Sequence, residues 1–217
     1  MKIPITYRIL GNLRSRIDNY PFSQKLFKKL STQNIFFIQI GANDGVSQDP
    51  IFQFNNNWNG LLVEPIPEIF EELKNNYKNK SNGKIFENIA VGDVNGEMTL
   101  KIPIDNSSNH HFRHKIASFV ENTINEGMEF ELIKVEVITL DYLIKKNNVS
   151  SIDLVVIDVE GYELSILNSF SFSIKPKIIY METRFFCFDE MIGFNDRMNK
   201  LGYSIFPEKD NCLYILK

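Results

Sequence analysis

The feature that most limits what this chain can fold into is a set of short apolar runs of strand length: Ile35–Ile40, Gly60–Glu64, Ile85–Val91, Ile152–Asp158 and Lys177–Glu182. Most lack the apolar–polar alternation of a sheet with one solvated face. They therefore predict strands buried on both faces, as in a parallel sheet covered by helices. Between them lie segments with helical spacing. Residues 21–31 set Phe22, Leu26, Phe27 and Leu30 on one side with lysines outside, and Pro67–Tyr77 does the same with Ile69, Phe70 and Leu73. Leu140–Lys146 follows Thr139, a good N-cap residue, and Glu163–Phe170 completes the set. Strand and helix alternate, which predicts a doubly wound α/β fold.

Residues 96–137 interrupt that rhythm with Met98–Ile102, a polar loop Asp105–Lys115 and the alternating Phe130–Ile138. This predicts an inserted segment of short antiparallel strands and a lid-like loop. A helix near Asp189–Leu201 is expected next, then a closing hairpin of Tyr203–Phe206 and Cys212–Leu216 around the turn-like 207–211. A length of 217 residues with 43% hydrophobic side chains suits one core. A single domain over 1–217 is expected, with residues 1–34 as a helical cover.

Composition removes several function classes. Lys and Arg number 24 against 27 Asp and Glu, a net charge of −3 that offers nucleic acid phosphates no general attraction. No nucleic-acid partner is expected. No apolar run approaches the roughly 20 residues of a membrane-spanning helix, so no membrane span is expected. Pro4, Thr6, Tyr7 and Arg8 break the N-terminal stretch before a secretory core can form. Cys187 and Cys212 lie in apolar or strand-like surroundings, which predicts reduced, core-packed thiols and a cytoplasmic setting. Nothing in the sequence specifies an oligomeric state.

The most informative segment is Phe37-Ile38-Gln39-Ile40-Gly41-Ala42-Asn43-Asp44-Gly45, a buried strand entering a glycine-bounded turn. Gly41 and Gly45 allow the backbone to approach a ligand closely. The next strand ends at Glu64, followed by Pro65, where a carboxylate grips a ribose diol in related folds. A dinucleotide site wants a glycine where Asn43 stands, and Asp44 would put negative charge beside a pyrophosphate. S-adenosylmethionine has no phosphate and carries two positive centres, so it suits this turn better. Asn88, Ile89 and Ala90 end the third run, where Ile89 and Ala90 are expected to border an adenine ring and Asn88 to meet its edge.

These segments, with Val155–Glu163 and Lys177–Glu182, resemble the FkbM family of methyltransferases over about Ile35 to Glu182. The most specific parts are Ile-Gly-Ala-Asn-Asp-Gly at 40–45, Val-Glu-Pro at 63–65, Ile-Thr-Leu-Asp at 138–141 and Ile-Asp-Val-Glu-Gly-Tyr-Glu at 157–163. The resemblance implies a class I, Rossmann-like methyltransferase sheet of order 3-2-1-4-5-7-6 with one antiparallel strand. It implies S-adenosylmethionine as cofactor and a hydroxyl of a small molecule, sugar or glycan as acceptor. Gln39 stands where many members carry an acid, so Asp44 or Asp158 is expected to share the hold on the methionine amino group. Ser118 matches a small-residue segment of the family and is expected near the methionine end or the acceptor.

Methyl transfer to an alcohol needs alignment and removal of a proton. Asp158 and Glu160 follow the fourth strand and Glu182 ends the fifth, at the carboxyl edge where such sheets place ligands. They are the candidate catalytic groups, with Asp158 preferred and Glu160 equally suited to capping the next helix. A divalent ion between Asp158 and Glu182 would relieve their repulsion, but neutralisation by Arg184 is the favoured reading and no metal is expected. His110, His111 and His114 in the polar loop are expected to be solvated, His114 being the best placed of them for chemistry. The rival functions are a catalytically inactive cofactor-binding scaffold and, less favoured, a dinucleotide-dependent oxidoreductase.

Overall fold

The apolar runs become strands wherever helices cover both of their faces. A computed structural model of the protein describes residues 21–103 and 129–217. The elements in order are α1 (Phe22–Leu30), β1 (Phe36–Ile40), β2 (Asn59–Val63), α2 (Pro67–Tyr77), β3 (Lys84–Glu87), β4 (Ala90–Gly92), β5 (Gly96–Pro103), β6 (Phe130–Thr139), α3 (Leu140–Lys146), β7 (Leu154–Ile157), α4 (Glu163–Ser169), β8 (Ile178–Glu182), α5 (Phe188–Lys200), β9 (Tyr203–Pro207) and β10 (Asn211–Leu216).

Seven strands form one sheet in the order β3-β2-β1-β7-β8-β10-β9. Its first five strands are parallel, and β10 runs antiparallel to both neighbours. This is the order 3-2-1-4-5-7-6 once the strands of a second sheet are left out of the count. Alternate residues of each strand feed opposite cores, as a period of two requires. Ile38, Leu61, Val155, Ile157 and Met181 pack with Leu143 of α3, Ile166 of α4 and Phe194 of α5. Phe37, Leu62, Val156 and Tyr180 pack on the other face with Phe27 of α1 and Leu73 and Tyr77 of α2. Continuous apolar strands are the direct consequence of this three-layer arrangement.

The second sheet has the order β4-β6-β5, with β5 antiparallel and β4 parallel to β6. Its Ala90, Leu100, Val135 and Val137 pack on Ile66 and Ile69 at the start of α2. The expected antiparallel pair is therefore present, but the single strand expected over Ile85–Val91 is two strands in two sheets. β3 stays with β2 as far as the Val63–Glu87 pair, and the Glu64 N–H donates to the Glu87 carbonyl. Pro65 then offers no N–H to extend the ladder. The chain crosses at Asn88 and Ile89 and pairs again with β6. The small sheet thus begins at Ala90, ahead of the boundary expected at residue 96.

Thr139 caps α3, its Oγ1 accepting the Tyr142 N–H at 3.2 Å. Cys212 is buried in the sheet, but Cys187 is exposed at the N-cap of α5, which corrects its assignment to the core. No helix among the described residues is long and apolar enough to cross a membrane. Residues 1–20 of the N-terminal cover, the polar loop with His110, His111 and His114, and Ser118 lie outside the described residues.

Candidate active site

The carboxyl ends of β1, β2, β7 and β8 open into a cleft of about 420 Å³, within the range of small-molecule sites. One end is built by the turn after β1. Gly41 has φ +76°, and a Cβ there would lie 1.8 Å from the Asp158 carbonyl oxygen. The N–H groups of Gly41 and Ala42 both donate to the Val63 carbonyl at 3.0 Å, locking the turn to β2. Asn43 holds a left-handed φ of 49°, which asparagine tolerates better than most residues.

Glu64 closes that end. It is 5% exposed, and its Oε2 accepts the Asn43 N–H at 2.9 Å while Oε1 accepts the Ile66 N–H at 3.0 Å. Each oxygen keeps further acceptor capacity. Burial pushes the Glu64 carboxyl up to about 7, against the lowering pull of those two N–H groups. Pro65, Ile66, Ile89, Ala90 and Leu100 form the apolar wall beside it.

Three residues of the expected cofactor set sit elsewhere. Asp44 is 4% exposed and turns its carboxylate into its own turn, where it accepts the N–H groups of Val46 and Ser47 and the Ser47 hydroxyl. Asn88 is exposed, and its amide donates to the carbonyls of Glu64 (2.9 Å) and Pro65 (3.2 Å), so it ties down the strand crossing. Gly45 is dictated by α2: a Cβ would meet Leu73 at 2.4 Å and Tyr77 at 2.6 Å. Gly45→Ala combines overpacking with a positive φ of 72°, and it should lower the melting temperature by roughly 5 °C or more. An unchanged melt by differential scanning fluorimetry would show that this contact relaxes without cost.

At the other end, carboxylate oxygens of Asp158, Glu160 and Glu182 all lie within 4.8 Å of one another. Arg184 bridges two of them, its Nη2 donating to Glu160 Oε2 at 2.5 Å and its Nε forming an ion pair with Glu182 Oε1 at 2.9 Å. Glu182 is 8% exposed, and its Oε2 is buried with no hydrogen-bond partner among the described residues. Burial foremost, then the charges of Asp158 and Glu160, raise the Glu182 carboxyl to about 8, with Arg184 opposing. Glu160 does not cap the next helix. It has φ +54°, and α4 begins only at Glu163. Among the described residues no side chain caps that helix at Tyr162; the fully buried Glu163 instead reaches back, its oxygens accepting the N–H groups of Val159 and Gly161 and holding the 158–161 segment in shape.

The cleft also contains Gln39 and Asp49, of which Asp49 had no sequence assignment. The available signal was an acid set immediately before Pro50-Ile51-Phe52, a turn-capping pattern. Asp49 Oδ1 accepts the N–H groups of Ile51 and Phe52, and its Oδ2 accepts from Gln39 Nε2 at 2.7 Å.

No curated protein matches the chain by sequence. Among solved structures, the METTL16 methyltransferase domain superposes with a TM-score of 0.50 at 11% identity, over 89% of this chain and 66% of that one. A precorrin-6y C5,15-methyltransferase from Geobacter metallireducens GS-15 gives a TM-score of 0.43 at 11% identity, over 88% of this chain and 85% of that one. The family profile of the methyltransferase FkbM domain matches residues 39–205, from the strand that opens the cleft to the hairpin that closes the sheet. With most of its length matched and the sheet order in agreement, this chain belongs to the FkbM methyltransferase family.

Proposed function

We propose that this chain transfers a methyl group from S-adenosylmethionine to a hydroxyl of a small molecule, sugar or glycan, acting as one domain in the cytoplasm. The observation that carries this reading is one cleft with a buried carboxylate, Glu64, at one end and, at the other, a carboxylate oxygen, Glu182 Oε2, that is unpartnered among the described residues. The residues present fit the cofactor. Glu64 has acceptor capacity for a ribose diol, Ile66, Ile89 and Ala90 offer an apolar wall to adenine, and the Gly41–Asn43 turn is locked beside them. S-adenosylmethionine supplies, when bound, an electrophilic methyl group on a positively charged sulfur.

The protein's own groups then align and deprotonate the acceptor. Glu182 Oε2 takes the hydroxyl proton as the acceptor's own oxygen gains the methyl group, and Asp158 orients the hydroxyl from the adjacent strand end. Arg184 holds Glu182 and Glu160 in place and supplies the positive charge that a metal would otherwise bring. Turnover is therefore taken to be independent of divalent ions. The net charge of −3 supports an acceptor other than nucleic acid.

The test is incubation with labelled S-adenosylmethionine and an extract of the protein's own host, with and without EDTA. The expected result is a labelled product carrying an O-methyl group in both arms, together with thermal stabilisation by S-adenosylhomocysteine and none by NAD. Loss of turnover in EDTA, restored by Mg²⁺, would replace Arg184 with a metal at the acceptor end. Cofactor binding without any labelled product would favour an inactive scaffold.

A further inference from the structure

We propose that Gln39 and Asp49 form a subsite for a primary ammonium group, the α-amino group at the methionine end of the cofactor. The inference rests on the cofactor reading above but not on the acceptor. Gln39 lies in β1 and is 3% exposed. A carboxylate only accepts hydrogen bonds, so the amide of Gln39 must turn its NH₂ toward Asp49 and its carbonyl oxygen away. That oxygen, Oε1, is buried and has no hydrogen-bond partner among the described residues. An unmet buried acceptor costs free energy in a folded protein until a water or a ligand meets it, and this one lines the cleft.

The adjacent Asp49 defines what the ligand must be. Its Oδ1 is committed to two backbone N–H groups, while among the described residues Oδ2 accepts the Gln39 amide alone. Both side chains line the cleft, alongside Gly41, Asp158 and Glu182. Among the described residues no cationic side chain forms an ion pair with Asp49. The charge of Lys80 is felt there, yet its Nζ donates to the Phe52 carbonyl and sits 3.7 Å from the centre of the Phe52 ring. A carbonyl oxygen and, on the far side of its own NH₂ group, a carboxylate oxygen on one cleft wall call for a ligand with at least two N–H donors and a positive charge. A primary ammonium has three donors and the charge, whereas a hydroxyl has one donor and none. Burial raises the Asp49 carboxyl to about 6, as expected of an acid whose counter-ion arrives with the ligand.

Calorimetry with three probes tests this. S-adenosylhomocysteine carries the amino group, its deamino analogue lacks only that group, and 5′-methylthioadenosine lacks the whole amino-acid end. The wild-type protein should bind S-adenosylhomocysteine at least tenfold more tightly than the deamino analogue. Asp49→Asn should lose at least tenfold for S-adenosylhomocysteine and nothing for the deamino analogue, a selectivity that a merely structural role would not produce. Equal loss for both ligands, or for neither, overturns the subsite. So does equal binding of both by the wild type, an outcome that needs no variant to fold. Wild-type protein that binds none of the three probes overturns the cofactor reading as well, whereas retained 5′-methylthioadenosine binding leaves that reading standing.

Discussion

Glu64→Ala should weaken S-adenosylhomocysteine binding by roughly thirtyfold or more, about 2 kcal/mol, because hydrogen bonds to a charged acceptor contribute on that scale. The prediction follows from where the carboxylate sits. It ends β2, is nearly fully buried, and bridges Asn43 and Ile66 across the mouth of the cofactor end. Alanine removes the proposed ribose acceptor and leaves the Asn43 and Ile66 N–H groups short of a partner, so some stability is also lost. Glu64→Gln separates the two effects, since it keeps an acceptor oxygen and the side-chain volume without the charge. It should bind S-adenosylhomocysteine at least tenfold more weakly while melting closer to the wild type than Glu64→Ala does. A pH series adds an independent check. The folded carboxyl titrates near 7, above its usual range, so the ionised, doubly accepting form grows as pH rises through that value. Affinity should rise with it and then level. Unchanged affinity in a folded Glu64→Ala protein would remove the ribose assignment.

Glu182→Gln should cut turnover about a hundredfold or more, the usual range for loss of a general base. Cofactor affinity should stay within about twofold, because the cofactor end of the cleft is closed by other residues. The pH profile carries the sharper signature. Burial and the neighbouring carboxylates hold the Glu182 proton up to about pH 8, so the proton-accepting form is scarce below that value and dominant above it. The wild-type kcat/KM should therefore climb with pH through about 8 and flatten, and the variant should lose that limb. Because Arg184 pairs with both Glu182 and Glu160, Arg184→Leu should push the limb to still higher pH. A Glu182→Gln enzyme of full rate would leave Asp158 as the base.

The central sheet was legible because burial on both faces demands uninterrupted apolar runs, which few other arrangements produce. Register-level features were not. The split of the Ile85–Val91 run depends on Pro65, just past the end of the neighbouring strand β2, which the run itself does not record. The glycine pattern at Gly41 and Gly45 was readable, but not what approaches each one: the Asp158 carbonyl at the first, and Leu73 with Tyr77 at the second. Glu163 read as an ordinary helix residue, yet it shapes the segment that carries Asp158 and Glu160. Asp49 escaped notice because its contact with Gln39 depends on the path of an irregular loop, which no periodicity records.

The ion cluster at the acceptor end also bears on what happens after the reaction. Asp158, Glu160 and Glu182 gather three acidic side chains on this wall, and among the described residues Arg184 is the cation seen paired with two of them. In the proposed reaction the sulfur is a cation before transfer and neutral afterwards. The same wall therefore attracts the charged, methyl-bearing form more strongly than the spent thioether. Each turnover cancels part of its own grip, and exchange of used for fresh cofactor runs downhill without any moving part.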